Sequence, residues 1–269
     1  MLVDPERVAR AIVEVAAAEI MPRFGRLAAG DIREKSPGDL VTLADEAAER
    51  ALEAMLAVIL PGAPMIGEEA TAKNPRLLDY LAEDGPAWLV DPVDGTGNFA
   101  AGQPAFAVMV AFVVERRAVA SWLYFPVGGE MLVASAGEGA WLDGQRLTVA
   151  PAPGNPAELT GTLLAGFHGN PELGRQIARR RDRVRALRSE RCAGWEYRRL
   201  AGGDMHFSLF SRLMPWDHAP GVLAHREAGG YAAYLDGAGY RPARIDTDGL
   251  LLAPDEKSWK ALHDLLLKP

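Results

Sequence analysis

Glu68 and Glu69, Asp91 and Asp94, and Asp217 are carboxylates whose surroundings set them apart from the rest of the chain. The first pair follows the apolar run Met65-Ile66-Gly67. Asp91 and Asp94 straddle Pro92-Val93 just past Trp88-Leu89-Val90, and Asp217 follows Trp216 at the start of a helical pattern. Acids at the ends of apolar strands are costly to bury unless they are paired or metal-bound. Convergent oxygen donors with no cysteine among them, and no paired histidines at helical spacing, suit a hard cation such as Mg²⁺. The segment Asp94-Gly95-Thr96-Gly97-Asn98 adds backbone N–H groups at a helix start, free to meet an anion. Acids beside an amide nest offer the chemistry of phosphoryl transfer to water, in which cations neutralise phosphoryl oxygens and acidify a bound water. Each piece alone has a plainer reading. Asp-Pro and Asp-Gly are common turn formers, and Glu68-Glu69 alone reads as a solvated pair. The conjunction is what carries the argument.

The elements that must position these groups follow from periodicity. Asp4-Pro5 caps a helix expected over about 5–28, with Val8, Ala11, Ile12 and Val15 on its apolar face. A strand, a turn and an extended return are read over 31–42, then a helix from Thr42 to the stop at Leu60-Pro61-Gly62. Pro64–Gly67 and Ala87–Asp91 read as buried strands delivering acids to a sheet edge. Ala105–Val114, Ala118–Phe125 and Glu130–Ala136 are consecutive strands, and Asp143-Gly144 marks a hairpin turn. Pro151–Pro156 is a loop and the boundary between halves 1–150 and 151–269 of one catalytic unit. In the second half the pattern predicts strands at Leu163–Gly166, Val184–Leu187, Tyr231–Tyr234 and Leu250–Leu252. It predicts helices at Pro171–Arg181, Ala193–Ala201, Trp216–Ala228 and Asp255–Leu267. The fold class is α+β.

With 269 residues, 49% of them apolar, the chain can bury a large core. Its 29 Lys+Arg against 36 Asp+Glu give a net charge of −7, which argues against a general nucleic-acid binder. A single cysteine, Cys192, cannot close an internal disulfide. No signal peptide and no membrane span are read, so a soluble, cytoplasmic protein is expected.

The sequence resembles the inositol monophosphatase family of lithium-sensitive, magnesium-dependent phosphomonoesterases. The likeness rests on Gly67-Glu68-Glu69, on Trp88-Leu-Val-Asp91-Pro-Val-Asp94-Gly-Thr96-Gly-Asn98-Phe99, and on Pro215-Trp216-Asp217-His-Ala-Pro-Gly221 followed by Glu227-Ala-Gly-Gly230. Lys35-Ser-Pro-Gly-Asp39-Leu-Val-Thr42-Leu-Ala-Asp45 also fits. The resemblance spans about residues 5–265 and implies a layered α-β-α-β-α sandwich of the inositol monophosphatase / fructose-1,6-bisphosphatase type, commonly a homodimer. It implies two to three Mg²⁺ ions. Glu68, Asp91 and the Val93 carbonyl would hold the first, Asp91, Asp94 and Asp217 the second, and Glu68 a looser third through water. Thr96, supported by Asp45, resembles the pair that activates the attacking water, and the amides of Gly95 and Thr96 resemble the phosphate cradle.

Departures bear on the substrate. Gly97 stands at a usual threonine of the loop. A gapless reading back from Asp217 puts Phe210 at a usual glutamate that bonds a ring hydroxyl, His206 at a usual aspartate, Ala193 at the usual substrate-side alanine and Arg191 at a usual glycine. Loss of a carboxylate acceptor would weaken discrimination of a polyol. Arg191 could instead meet a second anionic group, or be solvated, or pair with Glu190 or Glu196. His218 and His225 read as structural or surface residues, since adjacent helical residues diverge by about 100° and His218 cannot readily share an ion with Asp217. Cys192 reads as a buried inert thiol, and the basic run Arg175–Arg188 as a solvated face. Trp195 and Tyr197 are left open between core and pocket.

The expected partner is a small phosphorylated metabolite, without nucleic acid or membrane. Alternatives are a bisphosphorylated substrate (3′-phosphoadenosine 5′-phosphate or a sugar bisphosphate), histidinol phosphate, or a non-catalytic phosphometabolite sensor on the same fold.

Overall fold

The computed structural model describes residues 3–36, 38–163, 170–245 and 249–268. Helices α1 (Pro5–Val15) and α2 (Leu43–Ile59) are followed by two short ones, α3 (Glu68–Lys73) and α4 (Thr96–Ala100). A two-stranded ribbon, β1 (Ile32–Ser36) with β2 (Asp39–Thr42), precedes α2. The main sheet has seven strands: β3 (Met65–Gly67), β4 (Ala87–Asp94), β5 (Ala107–Val114), β6 (Arg117–Phe125), β7 (Glu130–Ser135), β8 (Gly139–Leu142) and β9 (Gln145–Arg146). They neighbour one another in chain order, with only β3–β4 parallel. The second half holds β10 (Thr160–Leu163), α5 (Pro171–Arg180), β11 (Arg185–Leu187), α6 (Ala193–Ala201), β12 (Phe207–Phe210), α7 (Pro215–Glu227), β13 (Tyr231–Tyr234), β14 (Leu250–Ala253) and α8 (Glu256–Leu267). Its five-stranded sheet runs β11-β10-β12-β14-β13.

Alternation along the strands explains the layering. Trp88 and Val90 of β4, with Val108, Val110 and Phe112 of β5, face α1 and α2. Leu89, Met109 and Ala111 face the other way, onto α6 and α7. Phe210, Leu250, Leu252 and Tyr234 of the second sheet close on the same two helices, whereas Phe207, Leu209 and Leu251 turn outward to the layer of α5 and α8. The result is the expected α-β-α-β-α order, with α6 and α7 between two sheets.

Most local expectations match. The Asp143-Gly144 turn, with φ of 47° and 79°, joins β8 to β9 as a two-residue hairpin. The first helix departs from the reading over 5–28. It changes to a π turn at Ala16–Ile20 and a 3₁₀ turn at Met21–Arg23, because Pro22 has no N–H to continue the α ladder. The strand expected at Leu163–Gly166 is found as Thr160–Leu163, and 164–166 lie outside the described residues. Sequence reasoning missed α3 and β12. The cap of α3 is remote: Glu49 of α2 accepts the amides of Glu69 and Ala70 at 2.8 and 2.7 Å.

His225 gives the middle layer a pH signature. It is fully buried on α7, with Nε2 3.0 Å from the Ala253 carbonyl, and burial drives its pKa down to about 4. A depressed histidine favours the fold while neutral. Its contribution is complete above pH 6.5 and is lost as pH falls toward 4, up to about 3 kcal/mol. Unfolding free energies measured between pH 6.5 and 4 should therefore fall more steeply than in His225→Gln, and parallel slopes would refute this.

Candidate active site

The acids meet because of one irregularity in β4. Asp91 pairs with Met109 of β5, but Asp94 pairs with Ala107, so three steps on β4 answer two on β5. Residues three apart on a regular strand point to opposite faces; one extra residue restores the parity. Pro92, with no N–H to give the ladder, sits inside that bulge. Parallel pairing of Gly67 with Val90 sets Glu68 beside them at the start of α3. Asp217 enters from the first turn of α7.

Glu68, Asp91, Val93, Asp94, Gly95, Thr96 and Asp217 all line one cavity of ≈ 220 Å³, together with Gly97, Asp39, Arg191 and Arg212. Asp91 is 2% exposed. Burial, and then the charges of Glu68, Asp94 and Asp217, push its carboxyl well above the usual carboxylate range. Asp217 is raised likewise by burial and by Glu68 and Asp94. Asp94 is also raised by burial, although Oδ2 accepts from the Gly194 amide at 2.6 Å and from the Cys192 thiol at 2.9 Å. Repulsion among buried carboxylates is what a hard divalent cation relieves, and the all-oxygen donor set matches one. Among the described residues no three acid, histidine or cysteine side chains stand as a ready-made cage, and Glu68 is turned onto Lys35, 2.7 Å away. Lys35 also reaches Glu69 at 2.8 Å; despite its burial, these two carboxylates hold the ammonium above its ordinary range.

Asp45 and Thr96 do come together. Thr42 and Asp45 form a capping box at the start of α2, with Asp45 Oδ2 accepting from the Thr42 amide at 2.9 Å and its hydroxyl at 2.5 Å. That leaves Oδ1 3.1 Å from Thr96 Oγ1, which also lies 3.0 Å from the Val93 carbonyl. One hydroxyl proton thus has two acceptors. Burial, against the Thr42 hydrogen bonds, raises the Asp45 carboxyl to about 7.

Gly95, at φ 86°, turns the chain from β4 into α4. A β-carbon there would meet the Ala105 carbonyl at 2.9 Å and Cys192 Cβ at 3.1 Å. The helical ladder begins with the amides of Asn98 and Phe99 on the Gly95 carbonyl, so those of Gly95 to Gly97 lie ahead of it. A β-carbon at Gly97 would meet nothing within 4 Å. Gly97→Thr is therefore expected to fold as well as the parent, with a melting temperature equal or slightly higher, since glycine is less favourable in a helix than threonine by about 0.3 kcal/mol. A fall of several degrees would count against the open space described.

Ala193 and Phe210 are not among the residues lining the cavity. The parity of β12 turns Phe210 into the middle layer, where it stacks on Tyr197 at 5.2 Å and meets His218 at 4.8 Å. His206 binds the Thr160 amide at 3.1 Å. His218 joins the Tyr197 hydroxyl to the Arg212 carbonyl, both at 2.8 Å, as a structural residue. Trp195 packs edge-on to Phe125, and Tyr197 is core. Cys192 is buried and its thiol raised by burial and by Asp94, yet it is a direct partner of Asp94. Sequence reasoning overlooked Lys35 as the partner of Glu68 and Arg212 as a group lining the cavity. Lys35 had a signal, as a cation inside the matching segment Lys35–Asp45, whereas Arg212 lies three residues ahead of the segment that begins at Pro215 and had none.

Residues 4–268 match the model of the inositol monophosphatase family, and the chain belongs to that family. It is 33% identical over 257 residues to an inositol-1-monophosphatase of Mesorhizobium japonicum, covering 91% of this chain and 90% of that one. Nus factor SuhB of Escherichia coli is 32% identical over 212 residues, covering 76% and 75%. The crystal structure of extragenic suppressor protein suhB from Bartonella henselae shares the fold, with a TM-score of 0.81 at 24% identity over 97% of this chain and 98% of that one. Among the described residues no helix is long and apolar enough to cross a membrane.

Proposed function

We propose that this chain is a magnesium-dependent hydrolase of a small soluble phosphate monoester. The observation that supports it most is the bulge in β4, which aims Asp91 and Asp94 into one cavity with Glu68 and Asp217 and runs directly into the Gly95-Thr96 amides. Glu68, Asp91 and the Val93 carbonyl would hold one Mg²⁺, Asp91, Asp94 and Asp217 a second, and Glu68 a third through water. Bound there, the ions would neutralise the phosphoryl oxygens and acidify a water.

The chain's own groups do the rest. The amides of Gly95 and Thr96 orient the phosphoryl group. Glu68 and Thr96 Oγ1 hold the attacking water in line. Thr96 takes a proton from it as its own hydroxyl proton passes to Asp45 Oδ1, 3.1 Å away. Asp94 and Asp217 face the leaving group, while Arg191 stands at the substrate side. Ala193 and Phe210 act from behind this wall, Ala193 through its amide on Asp94 and Phe210 by packing beneath His218. Residues 1–150 and 151–269 work as two halves of one unit in a cytoplasmic homodimer.

Bisphosphorylated esters and histidinol phosphate belong to the same reaction class. A phosphometabolite sensor would have no use for the Asp45–Thr96 pair. Thermal unfolding of chelator-treated protein tests the metal assignment: the melting temperature should rise with millimolar Mg²⁺, and Asp94→Asn or Asp217→Asn should blunt the rise. No Mg²⁺-dependent shift in the parent protein would refute it.

A further inference from the structure

Two cations line the cavity beside the acids, Arg191 and Arg212. Arg191 has a φ of 58°, a left-handed backbone that crowds any β-carbon and that glycine adopts freely. An arginine kept at such a position is strained. Among the described residues it makes no ion pair in return. The two carboxylates that could have neutralised it are engaged elsewhere. Glu190 pairs with Arg199 at 3.8 Å, and Glu196 is buried, accepting from the Glu190 amide and the Thr162 hydroxyl, both at 3.0 Å.

Among the described residues Arg212 has one salt bridge, to Asp39 at 3.2 Å, and its side chain is 50% exposed. Asp39 in turn lies 4.0 Å from Lys35. A single, half-exposed pair of this kind contributes little, so the guanidinium can change partners at little cost. Its backbone, by contrast, is fixed. The buried His218 Nε2 donates to the Arg212 carbonyl at 2.8 Å, one residue from Asp217. A pinned backbone carrying an exchangeable guanidinium, lining the same cavity as a strained and unpaired one, suits capture of an anion by forked hydrogen bonds. The phosphoryl group itself is already provided for by the amides of Gly95 and Thr96.

We propose that Arg191 and Arg212 form a subsite for a second anionic group, so that the substrate is a phosphate monoester carrying another phosphate or a carboxylate on the same small skeleton. This rests on the phosphatase reading above. Steady-state kinetics with Mg²⁺ on two matched pairs test it: glycerol 2-phosphate against 2-phosphoglycerate, and fructose 1-phosphate against fructose 1,6-bisphosphate. The doubly anionic member of at least one pair should show a kcat/KM at least tenfold higher, and the pair that does so identifies the anion as carboxylate or phosphate. Arg191→Gly and Arg212→Gln should each reduce that preference several-fold, mainly through KM. Arg191→Gly should also melt about 2–4 °C higher as the backbone strain is released, which separates lost recognition from lost folding. No preference in the parent protein, or a preference unchanged in both variants, overturns the subsite. Absence of hydrolysis of all four esters overturns the subsite as drawn, whereas the phosphatase reading falls only if histidinol phosphate, 3′-phosphoadenosine 5′-phosphate and inositol phosphates also release no phosphate with Mg²⁺.

Discussion

Replacing Asp91 by Asn should lower phosphate release by about a thousandfold or more, while the metal-free protein becomes more resistant to heat. Both effects have one cause. Asp91 is buried among Glu68, Asp94 and Asp217, and its carboxyl is raised by that burial and by their charges. Without a cation, one fewer charge in this group relieves repulsion. Asn still offers Oδ1 to the Val93 amide, now 3.0 Å from Asp91, so the bulge keeps its internal hydrogen bond. With Mg²⁺, the same change removes the one carboxylate assigned to both principal ions. Calorimetry in chelator and kinetics in Mg²⁺ should move in opposite directions. Activity within tenfold of the parent, or a lower melting temperature without metal, would contradict the assignment.

The second large effect belongs to Thr96. Thr96→Val keeps the branched shape at the start of α4 but has no hydroxyl to link the attacking water to Asp45. Loss of a positioned proton acceptor costs about 10²–10⁴ in rate, and Thr96→Ser should recover most of it. Folding should change little in either variant, because Asp45 keeps both Thr42 hydrogen bonds. A Val variant as active as the Ser variant would mean that the hydroxyl only supports the loop.

Much of this site was legible in the sequence, since its groups lie on short continuous segments. The run Trp88 to Phe99 contains a buried strand, both aspartates and the turn into α4, and local chemistry names each part. What the sequence did not show was why Asp91 and Asp94 share a face, which depends on their pairing with β5. The cap of α3 was hidden for a similar reason, because Glu49 reaches it from 20 residues away. β12 is four residues long with both faces covered, too short for periodicity to reveal. Counting back from Asp217 suggested Phe210 for the substrate wall, but strand parity sends that ring into the core and leaves Arg212, two residues on, at the cavity. A fixed count along the chain does not determine facing where a strand ends and a loop begins. Arg191, by contrast, does reach the cavity, and its partners Glu190 and Glu196 prove to be committed elsewhere.

The account stands most directly on phosphate release from small phosphate esters by metal-stripped protein, measured before and after Mg²⁺ is restored. It predicts inorganic phosphate from at least one ester with Mg²⁺ and none above background in chelator. Hydrolysis that persists without divalent metal, or no hydrolysis of any ester with it, would contradict the account.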